Sequence, residues 1–204
     1  SAQAPSRLIF TRRKIYDTMA RYTGPRVRLS RRFNIPLFGS SKYLERKPYP
    51  PGVHGQKRRR KATDYALALA EKQKMRYYYG LMEKQFRGIY DKAIRRRGVT
   101  GEIMLQILET RLDSVVYSLG FGYTRAQARQ MVTHGHVLVN GQRARTPSTA
   151  MKQGDQVEIK HTENSRHLAD KNLEYSTSRT VPEWLEVDKA AYTGSVKRKP
   201  TRED

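Results

Sequence analysis

Cysteine is absent from this sequence of 204 residues. Disulfide bonds and thiolate ligands for zinc are therefore excluded. Tryptophan occurs once, and no apolar run approaches the length that a transmembrane helix requires. Because hydrophobic residues make up only 37% of the chain, we expect a modest core and some segments that order only on binding a partner.

Acidic residues are also scarce. The chain has 41 lysines and arginines against 19 aspartates and glutamates, which gives a net charge of +22. A compact domain with this charge repels itself, so a polyanionic partner is expected. Nucleic acid and an anionic membrane surface are the two candidates. The basic residues are spread over the whole chain rather than concentrated in one amphipathic helix, and this distribution favours nucleic acid.

A helix that carries a pair of arginines is predicted in the second half of the chain. Thr124 and Gln127 have the spacing of a capping box, which predicts that a helix begins here. Gly135 lies where this helix would end in a left-handed turn. The four-residue spacing of Arg125 and Arg129 places both side chains on one face. A different face is expected to be buried, and it carries Ala128, Met131 and Val132.

A β-hairpin is predicted directly after this helix. Val137 and Val139 alternate with other residues as in a half-buried strand, and Asn140-Gly141 is typical of a type I′ turn. A short helix followed by a hairpin suits RNA recognition by shape, because arginines can reach phosphates and a polar loop can contact the ribose edge. The plain alternative is an amphipathic helix with solvated arginines.

This helix and hairpin resemble the S4-type RNA-binding module, a small fold found in ribosomal proteins and RNA-modifying enzymes. The resemblance rests on Arg125, Ala126, Ala128, Arg129, Met131, Val132, Gly135, Val137, Val139, Asn140 and Gly141. An apolar stripe from residue 100 precedes the helix, and Val157 and Ile159 predict a further strand after a turn at Gly154. The module is therefore predicted to span residues 100–161.

The N-terminal part is predicted to be a basic arm followed by a helical domain. Residues 1–18 are interpreted as an extension before Met19, loosely similar to an organelle transit peptide. Residues 21–60 are rich in proline, glycine and basic residues and show little helical periodicity. One helix is predicted from Thr63-Asp64 to a stop at Gly80. A second contains Met82, Phe86, Ile89, Tyr90 and Ala93 at helical spacing.

The predicted fold class is α+β and mostly helical. A helical domain with a basic extended N-terminal arm occupies residues 19–99, and the small helix–β-hairpin module is inserted at 100–161. Residues 162–204 are expected to pack back on the helical domain. They include a polar helix near 164–175, and Trp184 is expected to anchor the tail on a core.

From Met19 onward, the chain is similar to the bacterial family of small-subunit ribosomal protein S4. The matching pieces include Ala20-Arg21-Tyr22-x-Gly24-Pro25, Pro51-Gly52-x-His54-Gly55, Glu71-Lys72-Gln73-Lys74-x-Arg76, Glu83-x-Gln85-Phe86-Arg87, Leu108-Glu109-x-Arg111-Leu112-Asp113, Gly120-Phe121-Gly122 and Trp184-Leu185-Glu186-Val187-Asp188. Family members often carry an N-terminal cysteine cluster for zinc. Since this chain has no cysteine, we expect no metal and no other cofactor.

The resemblance implies a primary binder of small-subunit ribosomal RNA. Such a protein would hold a multi-helix junction of the RNA 5′ domain and nucleate assembly of the subunit. It would also lie near the messenger RNA entry channel beside ribosomal protein S5 and contribute to translational accuracy. The implied location is the cytoplasmic ribosome, with an organellar ribosome as the alternative, and no membrane partner is expected.

The candidate RNA-binding residues are cations, aromatics and polar groups from the arm, the first predicted helix and the module. They are Tyr22, Arg26, Arg28, Arg31, Arg32, His54, Lys57, Arg58, Arg59, Arg60, Lys61, Lys72, Lys74, Arg76, Tyr79, Arg125, Gln127, Arg129, His134, His136 and Asn140. Phosphate contacts would position the RNA, and the shape of the junction would supply specificity.

An RNA-modifying enzyme is the alternative class. Arg111-Leu112-Asp113 is similar to the catalytic motif of pseudouridine synthases, which can carry the same RNA-binding module. The motif here lacks the surrounding glycines, and we interpret Asp113 or Glu109 as one half of a helix-surface ion pair. His134 and His136 could suggest a metal pair, but no carboxylate or thiolate lies nearby in sequence. We therefore predict a binding protein rather than an enzyme.

Overall fold

The computed structural model describes residues 22–39, 42–57, 61–177 and 179–202. The prediction of a mostly helical α+β fold is confirmed, with eight helices among these residues and a small antiparallel sheet. The helices are α1 Arg26–Phe33, α2 Lys42–Arg46, α3 Asp64–Tyr78, α4 Glu83–Ile94, α5 Thr100–Glu109, α6 Leu112–Ser118, α7 Arg125–His134 and α8 Glu163–Tyr175. The strands are β1 Val137–Val139, β2 Gln142–Ala144, β3 Gln156–Ile159, β4 Leu185–Asp188 and β5 Thr193–Val196.

The N-terminal arm was predicted to be extended, but its described part contains the helices α1 and α2. Helix α1 begins after Pro25 and ends at Asn34, whose φ of 54° is left-handed. It has eight residues and buries only Leu29 and Ser30. Four of its eight residues are arginines and only Val27, Leu29 and Phe33 are apolar, so the segment contains too few apolar positions to be recognised as a helix in so basic a stretch.

Two separate hydrophobic cores organise the chain. The smaller core lies between α4 and α5 and contains Leu81, Phe86, Ile89, Ala93, Ile103, Met104 and Leu108. The larger core joins α6, α7, the sheet and α8, with Leu112, Val116, Phe121, Met131, Val157 and Trp184 among its members. In the described ranges no helix is both long and apolar enough to cross a membrane.

The helix–hairpin unit forms as the sequence predicts, with one difference at its cap. The Thr124 side chain accepts a hydrogen bond of 3.2 Å from the Gln127 backbone N–H. The Gln127 side chain bonds back to the N–H of Tyr123 rather than that of Thr124, so the capping box is shifted by one residue. Asn140 and Gly141 both have positive φ, 50° and 78°, as a type I′ turn requires.

The C-terminal segment completes the sheet of the module. The strand order is β2-β1-β3-β5-β4, and every pair is antiparallel. We expected residues 162–204 to pack on the helical domain. The structure instead pairs β5 with β3, through Val157 and Gly194 among others, and buries Trp184 in the larger core. The reason is that β3 would otherwise present an unpaired edge of backbone groups. Residues 200–202 lie beside α5.

We predict that Trp184→Ala lowers the free energy of unfolding by about 3–5 kcal/mol, because a side chain that is only 2% exposed leaves a cavity in the larger core. Urea unfolding followed by far-ultraviolet circular dichroism measures this change. Tyr65→Ala is the control, since that ring is 77% exposed. Equal stability of the two variants would mean that the C-terminal segment is not part of the core.

Candidate nucleic-acid interface

Arg125, the first residue of α7, is enclosed by tyrosine rings. Its guanidinium carbon lies 4.5 Å from the ring centre of Tyr78, 4.6 Å from that of Tyr79 and 4.6 Å from that of Tyr117. These distances are those of cation–π contacts. The side chain of Arg125 is only 14% exposed. The side chain of Arg125 therefore points into the protein rather than into solvent.

Hydrogen bonds fix the same guanidinium group at two further points. Nη2 donates to Oε1 of Glu109 at 3.1 Å, and Nη1 donates to Oγ of Ser114 at 2.9 Å. Burial alone would lower the pKa of Arg125, but the carboxylate of Glu109 and the neighbouring tyrosines outweigh it and raise that pKa. Arg125 therefore stays protonated and acts as a fixed internal cation.

Tyr79 completes this cluster from the end of α3. Its hydroxyl donates to Oε1 of Glu109 at 2.5 Å. Burial, and next the negative charge of Glu109, raise the pKa of the Tyr79 hydroxyl well above its usual value. The sequence predicts an RNA contact for Tyr79 and for Arg125. That remains a prediction, and in the structure both polar groups are committed to contacts inside the protein.

The carboxylate of Asp113 accepts four hydrogen bonds. Arg111 donates to it twice, at 3.0 and 2.7 Å, the Ser114 N–H donates at 3.0 Å, and Arg129 donates at 3.3 Å. The ion pair expected for Asp113 and that for Glu109 are both present, but each is largely buried rather than on the helix surface. An Asp113 whose two oxygens are both occupied by arginines is poorly placed to attack a base.

Helix α1 presents arginines to solvent. Arg26, Arg28 and Arg32 are exposed, and the helix contains no acidic residue. No carboxylate within the described part of the chain pairs with these three side chains. Their charges are therefore available to an external anion.

Arg31, on the same helix, has a different role. Its Nε donates to the carbonyl of Tyr49 at 3.1 Å and to that of Lys47 at 3.3 Å, and its Nη2 donates to that of Pro50 at 3.4 Å. Its guanidinium also lies 4.9 Å from the ring centre of Tyr49. Arg31 thus holds the proline-rich segment against α1.

The rest of the arm continues the basic surface. His54, Lys57 and Lys61 are exposed. Tyr22 instead packs edge-on against Tyr77, with ring centres 5.2 Å apart. The predicted contacts of Arg58, Arg59 and Arg60 lie outside the described residues.

The candidate RNA-binding cations of α3 are partly neutralised by neighbouring carboxylates. Lys72 and Arg76 both pair with Glu83 at the start of α4, the latter at 3.4 Å. Lys74 pairs with Glu71 at 2.6 Å. The sequence alone could not predict that Glu83 pairs with Lys72 and Arg76. The pairing depends on how the turn at Gly80 orients α4 relative to α3. The hydrogen bond from Lys72, and next the charges of Lys72 and Arg76, lower the pKa of Glu83.

The end of α7 and the hairpin form a second polar corner. The rings of His134 and His136 lie 6.2 Å apart, and Nδ1 of His136 is 2.8 Å from Oγ of Ser165. Burial, and next the nearby His134 and Arg143, lower the pKa of His136, which favours its neutral form. The described residues include no group of three His, Cys, Asp or Glu side chains placed to hold a metal ion.

Two other predicted contact residues have structural roles. Asn140 in the hairpin turn donates to Asp155 at 3.0 Å and accepts from the Gln156 N–H at 2.9 Å, which joins the turn to β3. Gln127 donates to the side chain of Asn172 at 2.7 Å, which joins α7 to α8. These bonds do not require RNA.

Comparison with known proteins gives a consistent result along the chain. Residues 21–109 match the Ribosomal protein S4/S9 N-terminal domain, and residues 110–157 match the S4 domain. Small ribosomal subunit protein uS4 of Opitutus terrae is 53% identical over 186 residues, which cover 91% of this chain and 92% of that protein. The chain belongs to the uS4 family. The uS4 proteins of Akkermansia muciniphila and Thermus thermophilus are 50% and 46% identical, each with the same 91% and 92% coverage.

Family membership confirms the resemblance drawn from the motifs. The boundary between the two matched domains lies between α5 and α6, where Glu109 ends the first and Thr110 begins the second. Arg125 of the S4 domain therefore contacts Glu109 and Tyr79 of the preceding domain across this boundary.

Two arginines near the interface were missed by the sequence analysis. Arg143 on β2 donates to the carbonyls of Gly135 and His134, each at 3.1 Å, and so caps the end of α7. Arg179 follows α8 and donates to the carbonyls of Tyr117 and Tyr123 at 3.2 and 3.0 Å. Only the folded chain brings these residues to their acceptors, so no local sequence pattern marks them.

We predict that Arg125→Leu lowers the free energy of unfolding by about 2–4 kcal/mol, because it leaves Glu109 without its buried cation. The same substitution at the exposed Arg28 should change stability by no more than about 0.5 kcal/mol. Urea titration of both variants measures the difference. A loss for Arg125→Leu no larger than that for Arg28→Leu would contradict an internal role.

We predict that Tyr79→Phe costs about 1–2 kcal/mol at neutral pH, because Glu109 loses a hydrogen bond. Since folding raises the pKa of Tyr79, its contribution is complete below the ordinary tyrosine pKa of about 10. Above that pH the unfolded chain releases the proton and the folded chain keeps it, so the contribution declines. The stability gap between wild type and Tyr79→Phe should therefore narrow above pH ~10, and a gap that widens there would contradict this.

Proposed function

We propose that this chain is a structural constituent of the small ribosomal subunit and binds the RNA of that subunit. The observation that carries this proposal is the exposed face of α1, whose arginines have no carboxylate partner among the described residues, in a chain of the uS4 family. Relatives that share about half of its residues are named small ribosomal subunit proteins. A net charge of +22 requires a polyanion of this kind.

Binding is proposed to be electrostatic and geometric. Arg26, Arg28 and Arg32, together with the exposed cations near Lys57 and Lys61, neutralise phosphates and release counterions. Arg31 and the ring contact between Phe33 and Tyr77 hold α1 in place, so an RNA whose helices meet at the matching angles binds best. We propose a multi-helix junction in the 5′ domain of the ribosomal RNA as that target. Early binding there would nucleate assembly of the subunit.

Further roles follow from the same proposal. The chain would lie beside ribosomal protein S5 near the messenger RNA entry channel and contribute to translational accuracy, in the cytoplasmic ribosome. A role without catalysis is supported by Asp113, whose carboxylate is buried and bound by two arginines. The pseudouridine synthase alternative is not favoured, because it would require that carboxylate as its nucleophile.

We predict that Arg28→Ala with Arg32→Ala lowers the salt dependence of binding to a 5′-domain junction transcript by about 1.5–2 units, because two phosphate contacts are lost. Filter binding from low to moderate salt measures the slope of log K against log salt. Arg96→Ala with Arg97→Ala is the matched control, since both residues are exposed and the charge change is the same.

The Arg96→Ala, Arg97→Ala control should reduce the salt dependence of log K by clearly less than the Arg28→Ala, Arg32→Ala variant does. Equal slopes for the two double variants would remove α1 from the binding surface, and the affinity would then reflect only total charge.

A further inference from the structure

A cleft lies where three parts of the chain meet. Its walls are the loop after α1, the start of α7 and the end of α8, and its volume is about 470 Å³. Sites for small organic groups usually have volumes of roughly 300–1,000 Å³. The cleft can therefore receive a group of the size of one nucleotide.

Exposed tyrosines line this cleft. Tyr78, Tyr123 and Tyr175 are 39%, 44% and 59% exposed. The rings of Tyr123 and Tyr175 lie 5.5 Å apart at an interplanar angle of 55°, so they do not stack face to face. Exposed aromatic faces beside a cleft are the surfaces on which unpaired bases stack. Tyr117 is less available, because the guanidinium of Arg179 lies 4.0 Å from its ring centre.

The charged side chains that line the cleft are all basic among the described residues. Arg26, Arg125 and Arg179 line it, and no described lining residue is acidic. Arg125 and Arg179 already bind acceptors within the protein. Arg26 is exposed, and its guanidinium contacts the ring of Phe38 at 5.7 Å. Arg26 is therefore the cation best placed to bind a phosphate at the mouth of the cleft.

Two buried polar atoms on residues that line the cleft have no hydrogen-bond partner among the described residues. They are Oγ of Ser176, a residue only 7% exposed, and Nε of Arg125. Buried polar atoms in proteins are almost always hydrogen-bonded. Both atoms are screened from solvent, so a group in the open cleft does not reach them.

We propose that the cleft binds one unpaired nucleotide of the RNA, with its base against Tyr175 and Tyr123 and its phosphate toward Arg26. The exposed aromatic rings supply the stacking surface. This proposal rests on the proposed RNA-binding function. It adds a contact to a single base, at a place distinct from the outward arginines Arg28 and Arg32 of α1.

The test uses the full chain and a transcript of the small-subunit ribosomal RNA 5′ domain. Tyr175→Leu is compared with Tyr65→Leu, a matched change at a 77% exposed tyrosine on α3. Affinity is measured by filter binding, and base accessibility is measured by chemical probing of the saturated complexes. Circular dichroism and a thermal melt establish that both variants fold as the wild type does.

Tyr175→Leu should bind at least about fivefold more weakly, because stacking on one aromatic side chain changes affinity by roughly 5- to 100-fold. One unpaired nucleotide that wild type and Tyr65→Leu protect should become reactive in the Tyr175→Leu complex. Unchanged affinity and an unchanged footprint would overturn the nucleotide site while leaving the proposed function intact. If wild type itself showed no preference for the transcript over a plain duplex of equal length, the proposed function would fail first.

Discussion

The guanidinium of Arg125 is the contact on which the arrangement of the two cores depends. It lies between Tyr79, which packs against the smaller core, and Tyr117, which packs against the larger one. Removing a cation from water is costly unless charges and hydrogen bonds compensate. Glu109, Ser114 and the tyrosine rings provide that compensation, so the two cores are held in one orientation.

The basic residues divide into two groups with different functions. Arg31, Arg125 and Arg179 donate to carbonyls, a carboxylate or a hydroxyl inside the protein and hold segments together. Arg28 and Arg32 extend into solvent without an acidic partner among the described residues. Arg31, from the first group, joins α1, which carries the second group, to the proline-rich segment. We propose that this division allows a very basic chain to recognise RNA shape rather than bind every polyanion equally.

Local patterns predicted most of the secondary structure, because caps and turns are local. Thr63, Thr124, Gly135 and Asn140-Gly141 mark boundaries that the structure confirms. Helix α1 was missed because half of its eight residues are arginines, so it resembles the rest of the basic arm in composition. The role of Arg125 could not be predicted, since residues up to 47 positions away in sequence form its surroundings. The sequence marks it as a cation on a helix, and only tertiary packing turns it inward.

We propose that folded geometry, and not charge alone, selects the RNA. The most direct test is the affinity of the wild-type chain for a small-subunit ribosomal RNA 5′-domain junction and for an equally long plain duplex, measured over one salt series. We expect a strong preference for the junction that persists at moderate salt, because cations held in place by the fold match one arrangement of phosphates. Equal affinities that collapse together as salt rises would contradict it.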